Sequence, residues 1–455
     1  MNRRLHIPFL SGALLMAVSA FGQSPAPKEE SSSAIDSRPA QVLFEEVDSY
    51  LTRKYAEFNK QKLPYDPKLE AKSRQEQRDL AARDAVTLQA RKSLKGEDYY
   101  YLGMIEHLAG NADATLESMR LFLKNDSDGE NSQTARNIVV LYAVKKNLVP
   151  EAEAAVTAYM RHKPQNIEDH YRMELLTTDA LYRSKEYGRM AAHAKEMFDD
   201  ARTFSVDHKS DVFKRDDMLV KSATLLYEAY AKSDRKEKAI ETLEEVRRLA
   251  MSLPSGNLYK LATIRLASMD PTADLRKLSN ENVDVDLQKS APPEIVASQW
   301  IDQAPKKLAD LRGQVVLLDF WAHWCEPCRY TFPKLQRWHE SYKDKGLVIV
   351  GLTNYFGEAN GKQLTRREEL AYLRDFKKRN RLSYGFAIAD SHANDLNYGV
   401  FSIPMSFLID RRGVLRFISM GAGDVEITAL GKMIKKLMEE PIDGKSDAGT
   451  KEGSK

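Results

Sequence analysis

Cysteine is nearly absent: the 455-residue chain holds two, Cys325 and Cys328, three positions apart. That excludes a scaffold stapled by scattered disulfides, and a bridge closing so small a loop constrains little of the unfolded chain. The pair is therefore expected to serve redox chemistry or metal binding. A surplus of charge of one sign is also missing. With 69 basic and 66 acidic residues the net charge is +3, which gives no electrostatic basis for nucleic acid or an anionic membrane as the main partner. Long apolar runs do not recur beyond Gly22, so no transmembrane segment is expected in the mature chain. From about Val42 to Met269 glycine and strand-type alternation are scarce, which argues against sheet in that half.

The first residues carry an address. Met1-Asn2-Arg3-Arg4 and the short apolar run Ile7 to Phe21 have the basic start and hydrophobic middle of a secretory signal, with small residues suited to cleavage after Ala20 or Gly22. An exported, periplasmic or otherwise extracytoplasmic protein is expected, an uncleaved N-terminal anchor being the alternative. The length suggests two folded units with flexible ends. Expected boundaries are a signal at 1–22, a Pro- and Ser-containing flexible segment at 23–38, an all-α region at 39–270, a polar linker at 271–285, an α/β domain at 286–440 and a polar tail at 441–455.

In the helical region Leu43, Val47 and Leu51 show the spacing of one buried helix face. Helical hairpins recur, with turns at Gly110-Asn111, Lys146-Asn147, Ser184-Lys185 and Ser233-Asp234, the first three in steps of 37 residues. Tyr230 to Leu243 resembles the centre of a tetratricopeptide repeat, although the usual period of 34 and the Trp-Leu-Gly pattern are missing. The resemblance implies degenerate hairpins that recruit or space a protein partner; a bundle without a binding groove is the alternative.

The period then changes. Val315 to Phe320, Leu347 to Leu352 and Phe386 to Ala389 read as strands, and Met405 to Ile409, Asp410-Arg411-Arg412-Gly413 and Val414 to Ile418 read as a hairpin. Helical patterns at about 326–343, 365–379 and 424–439 separate or follow them, which indicates an α/β domain.

A thiol is a good nucleophile near neutral pH only when its pKa falls from about 8.5, and the unpaired N–H groups of a helix N-terminus achieve this. The strand ends near Phe320, Trp321-Ala322-His323-Trp324 forms a loop, and a helix is expected to begin at Cys325-Glu326-Pro327-Cys328, with Pro327 suited to its first turn. The spacing allows a disulfide across that turn, Cys325 exposed as attacker and Cys328 recessed as resolver. His323 lies close enough to tune Cys325, but a surface loop histidine is the favoured reading. Glu326 beside the nucleophile disfavours its thiolate and leans the couple toward reductant.

Phe320 to Cys328 resembles the active-site signature of the thioredoxin superfamily, with Pro333 where those helices carry a kinking proline, and Phe401 to Ile409 resembles the segment bearing their cis-proline. Pro305 to Gln314 is similar to the N-terminal extension of the TlpA/ResA type of exported thioredoxin-like protein. The resemblance covers about 286–440 and implies a thioredoxin-like fold, exchange with protein disulfide or thiol substrates, electrons from a membrane thiol donor, and no metal or organic cofactor. It implies that Trp324, Ile403 and Pro404 contact substrate, Ile403 offering its backbone in strand fashion beside a cis Pro404. Asp319 interrupts an apolar strand, where a buried carboxyl has a raised pKa and can take the proton of Cys328. One departure stands out: relatives of the TlpA/ResA type place Asn at position 319 and Glu three residues after the second cysteine, where this chain has Asp319 and Thr331.

A peroxiredoxin-like peroxidase is disfavoured, because Ala322 and Leu318 stand where its Pro-x-x-x-Thr/Ser-x-x-Cys context needs the hydroxyl and the proline. A zinc site built on one cysteine pair with His323 or His339 is a poor tetrahedral set. A non-enzymatic adaptor, with the α/β domain as a tether, is the remaining alternative.

Overall fold

Gly110, Asn147, Lys185 and Asp234, one in each expected hairpin turn, all adopt the left-handed backbone region, with φ of 80°, 58°, 61° and 57°. A residue there ends one helix and reverses the chain within two or three positions, and glycine, asparagine and aspartate are the types that tolerate it best. The computed structural model describes residues 36–207, 211–269 and 292–441. The signal expected at 1–22, nearly all of the segment at 23–38, the linker at 271–285 and residues 442–455 of the tail lie outside them.

Twelve helices precede the first strand among the described residues: α1 (Ala40–Asp48), α2 (Tyr50–Lys60), α3 (Pro67–Gln89), α4 (Glu97–Ala109), α5 (Ala112–Asn125), α6 (Ser132–Lys145), α7 (Val149–Arg161), α8 (Ile167–Arg183), α9 (Tyr187–Asp207), α10 (Val212–Lys232), α11 (Lys236–Ser252) and α12 (Gly256–Met269). The pairs α4/α5, α6/α7, α8/α9 and α10/α11 are the expected hairpins. Asn111, Asn166 and Asp211 cap the helices that follow them by accepting first-turn N–H groups. Among the described residues no helix is long and apolar enough to cross a membrane.

The strands are β1 (Gln299–Ile301), β2 (Val315–Phe320), β3 (Leu347–Asn354), the short pair β4 (Glu358–Ala359) and β5 (Lys362–Gln363), β6 (Gly385–Ala389), β7 (Met405–Ile409) and β8 (Leu415–Met420). Between and after them lie α13 (Glu326–Tyr342), α14 (Arg366–Arg379), α15 (Ala393–Asn397) and α16 (Asp424–Glu439). Six strands form one sheet in the order β1-β6-β3-β2-β7-β8, with β2, β3 and β6 parallel and β1, β7 and β8 antiparallel to their neighbours. This is a thioredoxin-like sheet. Helix α13 crosses from β2 to β3 and α14 from β3 to β6, as parallel neighbours require. The continuous apolar run of β2 follows from its central place: all six of its residues are buried.

The two sheet faces have different covers. Leu317 of β2, Ile349 of β3 and Leu408 of β7 pack with Leu335 of α13, Phe376 of α14 and Ile434 of α16. On the other face Leu318, Phe320, Leu352 and Phe407 join Leu226, Val246, Met251, Leu258 and Tyr259 of α10, α11 and α12 in one continuous core. The boundary expected near residue 270 thus separates helices from strands without separating their cores. Periodicity marks which helix face is apolar but carries no information about what covers it. At the junction the Gly256 N–H donates to the Tyr398 carbonyl at 2.8 Å, and Ser255 Oγ donates to Asp216 Oδ2 at 2.5 Å.

Candidate active site

Strand β2 delivers the chain to the carboxyl end of the sheet, where Trp321 and Ala322 remain buried and Trp324 emerges with 58% exposure. Crevices outside the carboxyl ends of parallel strands are the usual sites of open α/β sheets. Trp321 packs against Phe332, Phe376 and Phe386, which anchors the loop to the core on the α13 side. Cys325 is the N-cap of α13: its Sγ accepts the Cys328 N–H at 3.2 Å, and Pro327 occupies the first turn, where its missing N–H costs nothing. Cys325 and Cys328 are joined as a disulfide, their Cα atoms 5.4 Å apart. Pro333 lies inside α13.

Cys325 retains 4% exposure and Cys328 none. The first cysteine is the outer of the two but is far less exposed than the sequence suggested, because both sulfurs belong to the core beneath α13. His323 is corrected outright. It is a buried residue, not a surface one, held edge-on between Phe356 and Tyr372 with ring centroids 5.6 and 5.4 Å away. Burial pushes its pKa down, so its neutral form is favoured. Phe356 also packs edge-on against Trp324. The buried carboxylate of Glu369 fixes that loop by accepting the N–H groups of Phe356 and Gly357 at 2.8 and 2.9 Å. Glu326 stands at the first position of α13, where an acidic side chain suits the positive end of the helix dipole.

Asp319 is paired in register with Ser406 of β7 on one side and Gly351 of β3 on the other. Strand alternation puts it on the same face as Leu317, which packs in the core that holds both cysteines. Its Oδ1 accepts the Ser406 hydroxyl at 2.8 Å, and its Oδ2 is buried without a partner among the described residues. Burial pushes the Asp319 carboxyl up from 3.8 to about 7, the Ser406 hydrogen bond opposing that rise. Thr331, at the position where the TlpA/ResA type carries an acid, donates its hydroxyl to the Cys328 carbonyl at 2.7 Å. Asp319 is therefore the buried acid on this face of β2.

The Ile403–Pro404 peptide bond is cis. Pro404 directly precedes Met405, the register partner of Phe320, so the two loops meet at the end of adjacent strands. Neither the N–H nor the carbonyl of Ile403 makes a backbone hydrogen bond among the described residues. Cys325, Cys328, Trp324, Ile403, Pro404, Glu326, Pro327 and Asp319 thus all lie on β2, on the loop and first turn that lead from it into α13, or on the loop into β7. Sequence reasoning missed Ser406. Its signal was a hydroxyl alternating with Met405 and Phe407 in an apolar strand, which marks a polar partner across the sheet. It also missed Phe356, Tyr372 and Glu369, which come from a different segment with no local motif.

The model of the AhpC/TSA family matches residues 289–418. The thioredoxin-like protein YneN of Bacillus subtilis is 32% identical over 136 residues, 30% of this chain and 68% of that protein. The thiol-disulfide oxidoreductase ResA of Bacillus cereus is 28% identical over 153 residues, 34% of this chain and 79% of that protein. Protein DipZ of Mycobacterium tuberculosis is 28% identical over 178 residues, 38% of this chain, and the chain spans 24% of its length. The region that the family model matches contains Asp319, Cys325, Cys328, Ile403 and Pro404. The chain belongs to the thioredoxin superfamily, as a TlpA/ResA-like member.

Proposed function

We propose that this protein is a thiol-disulfide oxidoreductase acting outside the cytoplasm, with Cys325 as nucleophile, Cys328 as resolver and Asp319 as proton acceptor. The observation that carries the reading is the disulfide at the start of α13, on the sheet face that also holds a buried carboxyl with a pKa of about 7. In the reduced protein the Cys325 thiolate attacks a substrate disulfide, forming a mixed disulfide and releasing one substrate thiolate. Cys328 then attacks Cys325 Sγ, its proton passing to the Asp319 carboxylate, and the second substrate thiolate leaves. Two electrons have moved from the pair to the substrate, and the Cys325–Cys328 disulfide remains for a thiol donor, proposed to be membrane-bound, to reduce. A proton acceptor with a pKa near the working pH is well matched to that transfer. Export is supported by the basic and apolar pattern of residues 1–22. The helical hairpins are proposed to recruit a protein partner, and Trp324, Ile403 and Pro404 to receive the substrate peptide.

Reduction of insulin disulfides by the full chain, with dithiothreitol as donor, tests the assignment. Cys325→Ser is expected to abolish turnover, and Cys328→Ala to halt at the mixed disulfide. Equal rates for the unaltered chain and Cys325→Ser would favour the adaptor reading.

A further inference from the structure

Helix α12 has two faces. Leu258, Tyr259, Ala262 and Leu266 are buried against neighbouring helices and the sheet. Asn257, Lys260, Leu261, Ile264 and Arg265 follow the i, i+3, i+4, i+7, i+8 spacing of a second stripe and line one wall of a cleft of about 340 Å³. The opposite wall is Phe401, Ser402 and Met405, the residues that bracket the cis Ile403–Pro404 bond. Lys260 Nζ donates to Ser402 Oγ at 3.0 Å and ties the two walls together. The helical region thereby reaches the loop that borders the cysteine pair.

The cleft has a definite chemistry. Ile264 and Phe401 present apolar surface, 46% and 59% exposed. Lys260 and Arg265 supply two positive charges, and neither has a carboxylate partner among the described residues. Ile403, whose backbone is unpaired among the described residues, packs both against the core shared with α12 and against the core that holds the two cysteines. A polypeptide adding to Ile403 as a strand is extended, advancing about 3.3 Å per residue with alternate side chains on one face. A segment running past Phe401 therefore sets a side chain against α12 within a few residues of the cysteine under attack.

We propose that this cleft binds the segment flanking the target cysteine of a protein substrate, and that it selects segments carrying apolar and acidic side chains. The proposal rests on the exchange reading above and adds a specificity element from outside the matched family region. Apolar residues of the segment cover Ile264 and Phe401, and its carboxylates approach Lys260 and Arg265. Charges at such a rim govern choice of partner more than total affinity.

The test uses the full chain and two labelled octapeptides in which serine replaces the target cysteine, one flanked by Glu and Leu, the other by Lys and Leu. Binding is read by fluorescence anisotropy, and reduction of the small aromatic disulfide DTNB by the dithiol form is read in parallel. The unaltered chain is expected to hold the acidic peptide about tenfold tighter than the basic one, and Lys260→Glu/Arg265→Glu to reverse that order. DTNB reduction should change by less than about twofold, since a small disulfide does not reach α12. Equal affinities for the two peptides, or a preference that survives the charge reversal while DTNB is still reduced, overturn the cleft assignment alone. Failure of the unaltered chain to reduce DTNB overturns the exchange reading instead, and with it the claim that the bound segment belongs to a redox substrate.

Discussion

Ser406 Oγ donates to Asp319 Oδ1 at 2.8 Å across the β2–β7 pair, while the other carboxyl oxygen is buried without a partner among the described residues. One acceptor is held and the other is free to receive a proton. Burial raises the carboxyl from 3.8 to about 7, so the folded state keeps a proton that the unfolded chain would release between those values. The resulting stability is fully present below pH 3.8 and is lost as pH rises through about 7. At roughly 1.4 kcal/mol for each pH unit, the loss by pH 8 approaches about 4 kcal/mol. Asp319→Asn supplies a neutral side chain of the same shape. Urea unfolding of the oxidised chain at pH 5 and pH 8 should show the Asp319 share of that window, about 3 kcal/mol, removed in the variant, leaving the decline of other titrating groups; an unchanged decline would sink the assignment of Asp319 as the buried titrating acid.

The same carboxyl sets the second chemical step. Asp319→Asn is expected to slow resolution of the mixed disulfide by about 10²-fold, the lower end of what a positioned acid or base contributes, while its formation changes little. Ser406→Ala removes the hydrogen bond that favours the charged carboxylate, so the pH midpoint of resolution should move upward. Stopped-flow of both steps from pH 6 to 9 separates the roles. A uniform loss of rate with an unmoved midpoint would make Ser406 merely structural.

Much of this site is legible in the sequence because its parts obey local rules. The Pro327 turn, the β2 apolar run and the β7–β8 hairpin are each decided within a few residues, and their observed bounds follow the expected ones closely. Asp319 could be singled out because a carboxyl in a wholly apolar strand needs a reason. His323 could not, since its burial depends on Phe356 and Tyr372, which arrive from more than 30 residues away. The shared core was equally hidden: the apolar face of α11 has the same pattern whether it covers another helix or the sheet.

Four tryptophans, Trp300, Trp321, Trp324 and Trp338, all lie in the strand-bearing portion, so their fluorescence reports it alone, whereas helical circular dichroism is dominated by α1 to α12. Because Leu226, Met251 and Tyr259 share a core with Phe320 and Phe407, the two signals should unfold together. Gly399 is the place to break this coupling. Its φ is +57°, and a Cβ there would lie 2.7 Å from Asp216 Oδ2 and 2.8 Å from Ser255 Oγ. Gly399→Ala is expected to cost about 2–4 kcal/mol from backbone strain and overpacking, and to pull the two transitions apart. Transitions that are already separate in the unaltered chain would contradict a single cooperative core.

A second pH dependence is built into the helical region. His170 Nδ1 lies 2.7 Å from Asp200 Oδ2 and its Nε2 lies 3.3 Å from Glu174 Oε1, while Glu174 Oε2 is 2.6 Å from His193 Nδ1. Burial presses the His170 pKa down, but its two carboxylate partners outweigh that and lift it from 6.5 to about 9. The sign is that of a group whose proton is held more tightly when folded: the stability is complete below pH 6.5 and disappears as pH rises through about 9. Asp200, also raised by burial, acts in the same direction, and Glu174, held low by its two histidines, adds stability that is lost only in acid. In the Asp319→Asn background, which removes the other titration, unfolding followed by circular dichroism should lose up to about 3 kcal/mol between pH 6.5 and 9.5. His170→Gln in that background leaves Asp200 without its cation and Glu174 with His193 alone, so it should be less stable at every pH in the range, with only the smaller slope of His193, whose pKa its carboxylate partners raise against burial, remaining. An undiminished slope in the glutamine variant would assign the titration to another group.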